Sequence, residues 1–327
     1  DEAAGVDLPI YTAAAGNLTS KNSRFVLIGN PTSPSGAFYD YSKNPNWHKI
    51  TISAFDSPAI NEPDKYPYLV NSKWIKEREA EWGKDSPMYI SRVLGEFPTE
   101  GEDTLIPMSW IDAAARRWSE RSNKELLVSD HIYLGVDVAR YGRDSSVVVT
   151  YQPNKVMAIR KHQGRDTVAT THLVTQECIA AGPKLIRITI DDTAIGAGVT
   201  DNLKHAGYPA VGVNFSQKAN NQRHFKRIRD EMYWNLREHF RSGDIAIPPN
   251  EMLMAQLAGI KYKQRPGSNQ IEIETKDEML ERGAQSPDEA DALALCVNGA
   301  KRIITSRSVH NSQSSGARSG YKDKQWY

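Results

Sequence analysis

The chain has 327 residues, enough for about two domains with sizeable cores. Its 41 Lys and Arg against 40 Asp and Glu leave a formal net charge of +1, so no bulk positive field argues for nucleic acid and any such surface must be a local patch. The two cysteines, Cys178 and Cys296, lack metal-ligand spacing and suit free thiols in a reducing cytoplasm better than a disulfide framework; no apolar run reaches the ~18 to 20 residues of a membrane span.

The chain opens on "DEAAGV", without the basic and apolar regions of a signal peptide. In "RFVLIGNP", Phe25 to Ile28 predict a short buried strand stopped by Gly29, Asn30 and Pro31. From Ser72 to Arg92 two helical patterns flank "GKDSP", with Trp74, Ile75 and Trp82 as candidate buried groups. After "MSWIDAAARRW" the polar stretch "SERSNKELLVSD" marks the main boundary, and a second domain is expected to start near Asp130.

That domain predicts strands over Ile132 to Val138, Ser146 to Tyr151 and Val156 to Lys161, a helix over Thr167 to Ala180, a strand over Leu185 to Ile190 and a helix over Gly198 to Ala206. Adjacent strands followed by helix and strand alternation indicate a mixed α/β sheet. A longer helix carries an apolar stripe of Phe225, Ile228, Met232, Leu236 and Phe240, with Gly243 suited to its C-terminal stop. A hairpin, "AGIKYKQRPGSNQIEIET", leads to a final helix from Pro287 to about Ala300. From about Thr305 the Ser-rich sequence predicts a flexible tail, and residues 301–327 hold six Lys or Arg and one Asp.

Three places put carboxylates where a buried fold would not ask for them. Asp137 sits among the apolar residues Leu134, Val136 and Val138, and an ionised carboxylate there needs a cation, hydrogen bonds or a proton. The strand Leu185 to Ile190 delivers Asp191 and Asp192 at its C-terminal end, the edge that α/β ligand sites favour, although taken alone a turn or helix cap by Asp and Thr is the better explanation. In "SPDEADALALCV", Ser286, Pro287 and Glu289 read as a capping box, which gives Glu289 a structural task. Asp288 and Asp291 lie three apart on one helix face, ahead of an apolar run from Ala292 to Val297. Acids from two strand ends and one helix start suit hard divalent ions, Mg²⁺ or Mn²⁺, and a pair of ions suits phosphodiester cleavage. The eight His residues show no zinc-type spacing.

The whole pattern resembles the large terminase subunit of tailed bacteriophages, a motor-nuclease that packages DNA. "DEAAGV" is similar to the end of that family's Walker B segment, which would make Asp1 the Mg²⁺-holding acid and Glu2 the activator of water in ATP hydrolysis. "IGNPTSPSGAFYD" resembles the coupling motif, with Asn30 as the nucleotide sensor. "YISRVLGEFPTEGEDTLIPMSWI" resembles the connection from lid to nuclease. "LGVDVARYGRDSSVVV", "ITIDDTAIGAGVTDNL" and "SPDEADALAL" resemble the three acidic motifs of a ribonuclease H-like nuclease.

The resemblance implies catalytic and metal-holding roles for Asp137, Asp191, Asp288 and Asp291. Asp192 and Asp144 stand as secondary candidates, and Lys276 as a DNA-phosphate contact. It also implies an ATPase-core remnant over 1–60, a helical lid and linker over 61–129, a ribonuclease H-like domain over 130–302 and a flexible basic tail over 303–327. The partners implied are double-stranded DNA, the small terminase subunit, the portal protein of the procapsid and copies of the chain in a ring, with no membrane, in the host cytoplasm.

No GxxxxGK[ST] loop is present, so the chain as given is expected neither to bind ATP well nor to translocate DNA unless a missing N-terminal half is supplied. The rival readings are a junction resolvase or transposase-like nuclease, which leaves "DEAAGV" and "IGNPTSPSG" unexplained, and a catalytically silent module that docks portal or DNA.

Overall fold

The computed structural model describes residues 2–6, 8–120, 129–139, 145–163, 166–193, 195–265, 267–268 and 270–311, the last eleven of these as backbone alone. They form helices α1 (Leu8–Gly16), α2 (Ala37–Lys43), α3 (Ser72–Trp82), α4 (Pro87–Tyr89) and α5 (Met108–Glu120), then strands β1 (Ile132–Asp137), β2 (Ser145–Gln152) and β3 (Lys155–Gln163). Helix α6 (Thr167–Ala181), β4 (Leu185–Asp191), α7 (Gly196–His205), β5 (Ala210–Val213), α8 (Ile228–Ser242) and α9 (Glu251–Gly259) follow. The hairpin β6 (Tyr262–Gln264) and β7 (Ile271–Ile273), α10 (Lys276–Glu281) and α11 (Asp288–Asn311) complete the order.

Two compact units arise, 1–113 with 257–284 and 114–256 with 285–327. The second is built on a five-stranded sheet in the order β3-β2-β1-β4-β5. β1 pairs antiparallel with β2 and β2 with β3, whereas β1–β4 and β4–β5 are parallel. This is the mixed α/β sheet that the sequence predicts. Alternation along the strands divides the core: Leu134, Val136, Val148, Ile188 and Ile190 face Val174 and Cys178 of α6 and Val199 and Leu203 of α7. On the opposite face Val213 packs with Phe215, Ile228 and Met232 and with Leu295 of α11.

Helix α11 lies unusually close to β1. A Cβ at Gly135 would stand 2.0 Å from the Ala292 carbonyl oxygen, so only glycine lets helix and strand meet there. One helical turn on, the Cys296 thiol reaches the Tyr133 carbonyl at 3.2 Å. Both cysteines are free and buried. Helix α8 ends as its sequence predicts, with Gly243 left-handed at φ 77°.

Several expectations change. The contact boundary does not fall at Asp130, and the segment 257–284 packs with the first unit. There Leu105 N–H donates to Ile260 C=O at 3.0 Å, Tyr262 N–H to Asp103 C=O at 2.8 Å, and Lys261 pairs with Asp103 at 2.7 Å. Neither sheet includes residues 2–60, so the described part of that segment shows no P-loop core. Phe25 to Ile28 run without a strand ladder, with Val26 and Ile28 exposed and one backbone bond from Ala3 N–H to Ile28 C=O at 2.9 Å. A strand needs partners, and the described residues supply none there. Helix α11 continues to Asn311, beyond the expected tail start; residues 312–327 lie outside the described residues. Among the described residues no helix is long and apolar enough to cross a membrane.

If the approach at Gly135 fixes α11, Gly135→Ala will lose about 1 to 3 kcal/mol of stability in urea unfolding, because backbone rather than a flexible side chain must move. Unchanged stability would show that the contact is not tight.

Candidate active site

Asp137 and Asp191 are brought side by side by the parallel ladder. Val136 pairs with Ile190, so the next residue of each strand, Asp137 and Asp191, ends adjacent strands about 4.8 Å apart. Asp137 belongs with Tyr133 and Gly135 on the α11 face, since alternate strand residues share a face.

The start of α11 arrives above them. The helix runs antiparallel to β1, with Cys296 at Tyr133 and Ala292 at Gly135. A further four residues of helix rise about 6 Å and two residues of strand about 6.6 Å, which carries Asp288 to the level of Asp137. Asp137, Asp288 and Asp291 are 3 %, 6 % and 0 % exposed.

Each acid has its own setting. Asp191 Oδ1 accepts from Thr193 N–H at 3.0 Å and from the Thr193 hydroxyl at 2.7 Å, so it also braces the turn. Asp192 accepts from the Thr200 hydroxyl at 2.9 Å and ties the turn to α7. Asp291 Oδ1 accepts from the Tyr233 hydroxyl at 2.6 Å and faces Arg229 Nη2 at 3.4 Å. The Arg229 guanidinium also lies over the Tyr233 ring, 4.8 Å from its centroid.

Electrostatics ties the cluster together. Burial pulls the Arg229 guanidinium down, but Asp291, Tyr233 and Asp230 together carry it above its ordinary value. Burial pushes the Tyr233 phenol far up, followed by Asp291; Arg229 opposes them, and Asp137 adds to the rise. Tyr233 thus feels both Asp291 and Asp137.

The expected capping box is not what holds the start of α11. Gln256 Oε1, from α9, accepts from Glu289 N–H at 2.9 Å and Ala290 N–H at 3.2 Å, and the Ser286 hydroxyl turns instead to Asp288 Oδ1. A side chain from a distant helix thus displaces the local cap, and Glu289 is not spent on it. Glu289 is 4 % exposed, and burial raises its carboxyl, with Lys161 opposing and Asp288 reinforcing.

Asp137, Asp191, Asp288 and Asp291 all belong to the second unit. Glu2, exposed and left-handed at φ 49°, exposed Asn30 and Lys276, first residue of α10, belong to the first. Asp1 and Asp144 lie outside the described residues. Arg229, Tyr233, Gln256, Glu289 and Lys161 were not expected. The four-residue spacing of Arg229, Tyr233 and Arg237, one step beside the apolar stripe, is the signal that could have pointed to the first two; both arginines are buried.

As a donor set, clustered carboxylates fit a hard divalent cation. Among the described residues no three His, Cys, Asp or Glu side chains form a ready-made cage, so the acids would have to close on an ion as it binds.

No family model matches the chain. It is 27 % identical over 323 residues to the probable terminase large subunit of Enterobacteria phage P7, covering 91 % of this chain and 62 % of that protein. A shorter match, 25 % identical over 118 residues, covers 35 % of this chain and 37 % of a manganese-dependent ADP-ribose/CDP-alcohol diphosphatase from Arabidopsis thaliana. The chain therefore spans less than two thirds of the length of either relative. Among solved structures, the nuclease domain of the large terminase subunit gp2 of bacterial virus Sf6 superposes with a TM-score of 0.50 at 19 % identity, covering 59 % of this chain and 97 % of that one. A mutant of that domain with manganese and β-thujaplicinol gives a TM-score of 0.50 at 18 % identity.

The buried pair should dominate local stability. Asp291→Ala leaves Arg229 charged and buried, and a loss of about 3 to 5 kcal/mol is expected in denaturant titration. Arg229→Met combined with Asp291→Leu should recover most of it; near wild-type stability of the single variant would show that the pair is not structural. The chain is thus similar over most of its length to the probable terminase large subunit of phage P7, and its second unit shares the mixed α/β fold of the Sf6 terminase nuclease domain.

Proposed function

We propose that the chain is the nuclease part of a terminase large subunit, a Mg²⁺- or Mn²⁺-dependent endodeoxyribonuclease that cuts concatemeric viral DNA during genome packaging. The observation that carries this reading is the placement of Asp137 and Asp191 at neighbouring strand ends below the acidic start of α11. The P7 relative, the Sf6 fold and that domain's manganese complex support it.

Asp137, Asp191 and Asp288 are the residues that would hold the metal. Such a metal would supply an activated water and neutralise the leaving oxygen. Asp291 is the acid least suited to a further cation, because Arg229 and Tyr233 already meet its charge. Its role in this reading is to fix α11 and so hold Asp288 over Asp137.

The first unit would contribute an ATPase-core remnant and lid. Val26, Ile28, Ile50 and Ile52 are between 62 % and 77 % exposed, and burying each would stabilise the assembly by about 1.5 to 3 kcal/mol. That exposure fits a sheet completed by further packaging-ATPase strands, with ATP-driven translocation depending on them. The small terminase subunit, the portal and a homo-oligomeric ring would be the partners, in the host cytoplasm.

Asp137→Asn should fold normally, since amide and carboxylate have nearly equal volume, yet lose nicking of plasmid DNA in Mn²⁺ by two or more orders of magnitude. Wild-type-like nicking by that variant would remove Asp137 from the reaction.

A further inference from the structure

A row across the sheet extends the site beyond its acids. Lys161 on β3 pairs directly with Val147 on β2, and Val147 pairs with Asp137 on β1. Directly paired residues share a face, so Lys161, Val147, Asp137 and its neighbour Asp191 point toward α11. Lys161 is exposed and starts two strand spacings, about 9.6 Å, from Asp137. Its flexible four-carbon stem can carry the ammonium across Val147 toward the acids.

Glu289 lies in the first turn of α11. It follows Asp288, and Gln256 has relieved it of capping. Its carboxyl is almost wholly buried, and Oε2 has no hydrogen-bond partner among the described residues. Lys161 is the opposite charge that acts on it. The acid cluster is therefore flanked by two cations of different kinds. Arg229, on the α8 side, is buried and committed to Asp291; Lys161, on the β3 side, is exposed.

Resting on the nuclease reading above, we propose that Lys161 receives a phosphate of the DNA strand lying across the acids, with Glu289 as the positioning residue that holds its ammonium over Val147. The carboxylates of Asp137, Asp191 and Asp288 repel a polyanion, and Lys161 offsets that repulsion where the backbone must pass. A phosphate can take over the outward side of the ammonium, which has three donors, while Glu289 keeps the inward side.

The test is duplex-DNA binding by the full chain, read by fluorescence anisotropy between about 50 and 200 mM salt, where each phosphate contact adds about 0.9 to the log–log slope. Lys161→Met, which keeps the apolar stem, should weaken binding about tenfold and lower the slope by about one, whereas Lys161→Arg should restore the slope. Glu289→Gln should weaken binding less, and should have no further effect in the Lys161→Met background. Thermal melting of each variant checks folding. A Lys161→Met protein that melts like wild type and keeps its affinity and slope would overturn the inference, as would a Glu289→Gln effect of undiminished size without Lys161. Plasmid nicking by the wild type is read separately: its absence would count against the nuclease reading, whereas intact nicking with an unchanged slope would count against Lys161 alone.

Discussion

The approach of α11 to β1 at Gly135 is the constraint from which the site follows. Because Ala292 sits on a residue without a side chain, the helix lies against the strand backbone and its first turn comes down over the strand ends. Two strands that end together supply Asp137 and Asp191; the helix supplies Asp288. Moving the helix away from the sheet by the width of one methyl group would carry Asp288 away from the two strand ends. The packing of α11 and the placement of Asp288 therefore depend on the same glycine.

Charge balance is the second requirement. Carboxylates crowded at a buried site repel one another, and desolvation costs several kcal/mol per ion. Arg229 and Tyr233 lower that cost at Asp291, whose burial is complete. The bond also links α8 to α11, so the helix that carries Asp288 is held on two sides, by the sheet and by α8. Gln256 fixes its first turn from a third. Helix and strands are thus fixed in place, while the acids they carry would still have to close on an ion as it binds.

Much of this was legible in the sequence. The β-branched runs of β1, β2 and β4 announced their strands, and an acid at the end of an apolar run demanded a cause. β5 was not legible: it has four residues, follows Pro209 and contains Gly212, all weak strand signals. α9 escaped because "EMLMAQLAG" has no polar face to set a helical period. The Ser286–Glu289 cap was a sound local pattern overridden by Gln256, 33 residues upstream of Glu289. Arg229 lies one step beside the apolar stripe of α8, and its partner Asp291 is 62 residues away in sequence. Local signals locate elements and lone acids, whereas the partners that tune those acids come from distant chain and leave no periodic trace.

The central claim is that acids from two strand ends and one helix start converge on one place able to bind divalent ions. Anomalous diffraction from crystals grown with Mn²⁺ addresses it most directly. The account predicts an ion peak bound by carboxylate oxygens of Asp137 and Asp191 or Asp288, at about 2.0 to 2.3 Å. Manganese bound elsewhere, with these three side chains turned to separate surfaces, would contradict it.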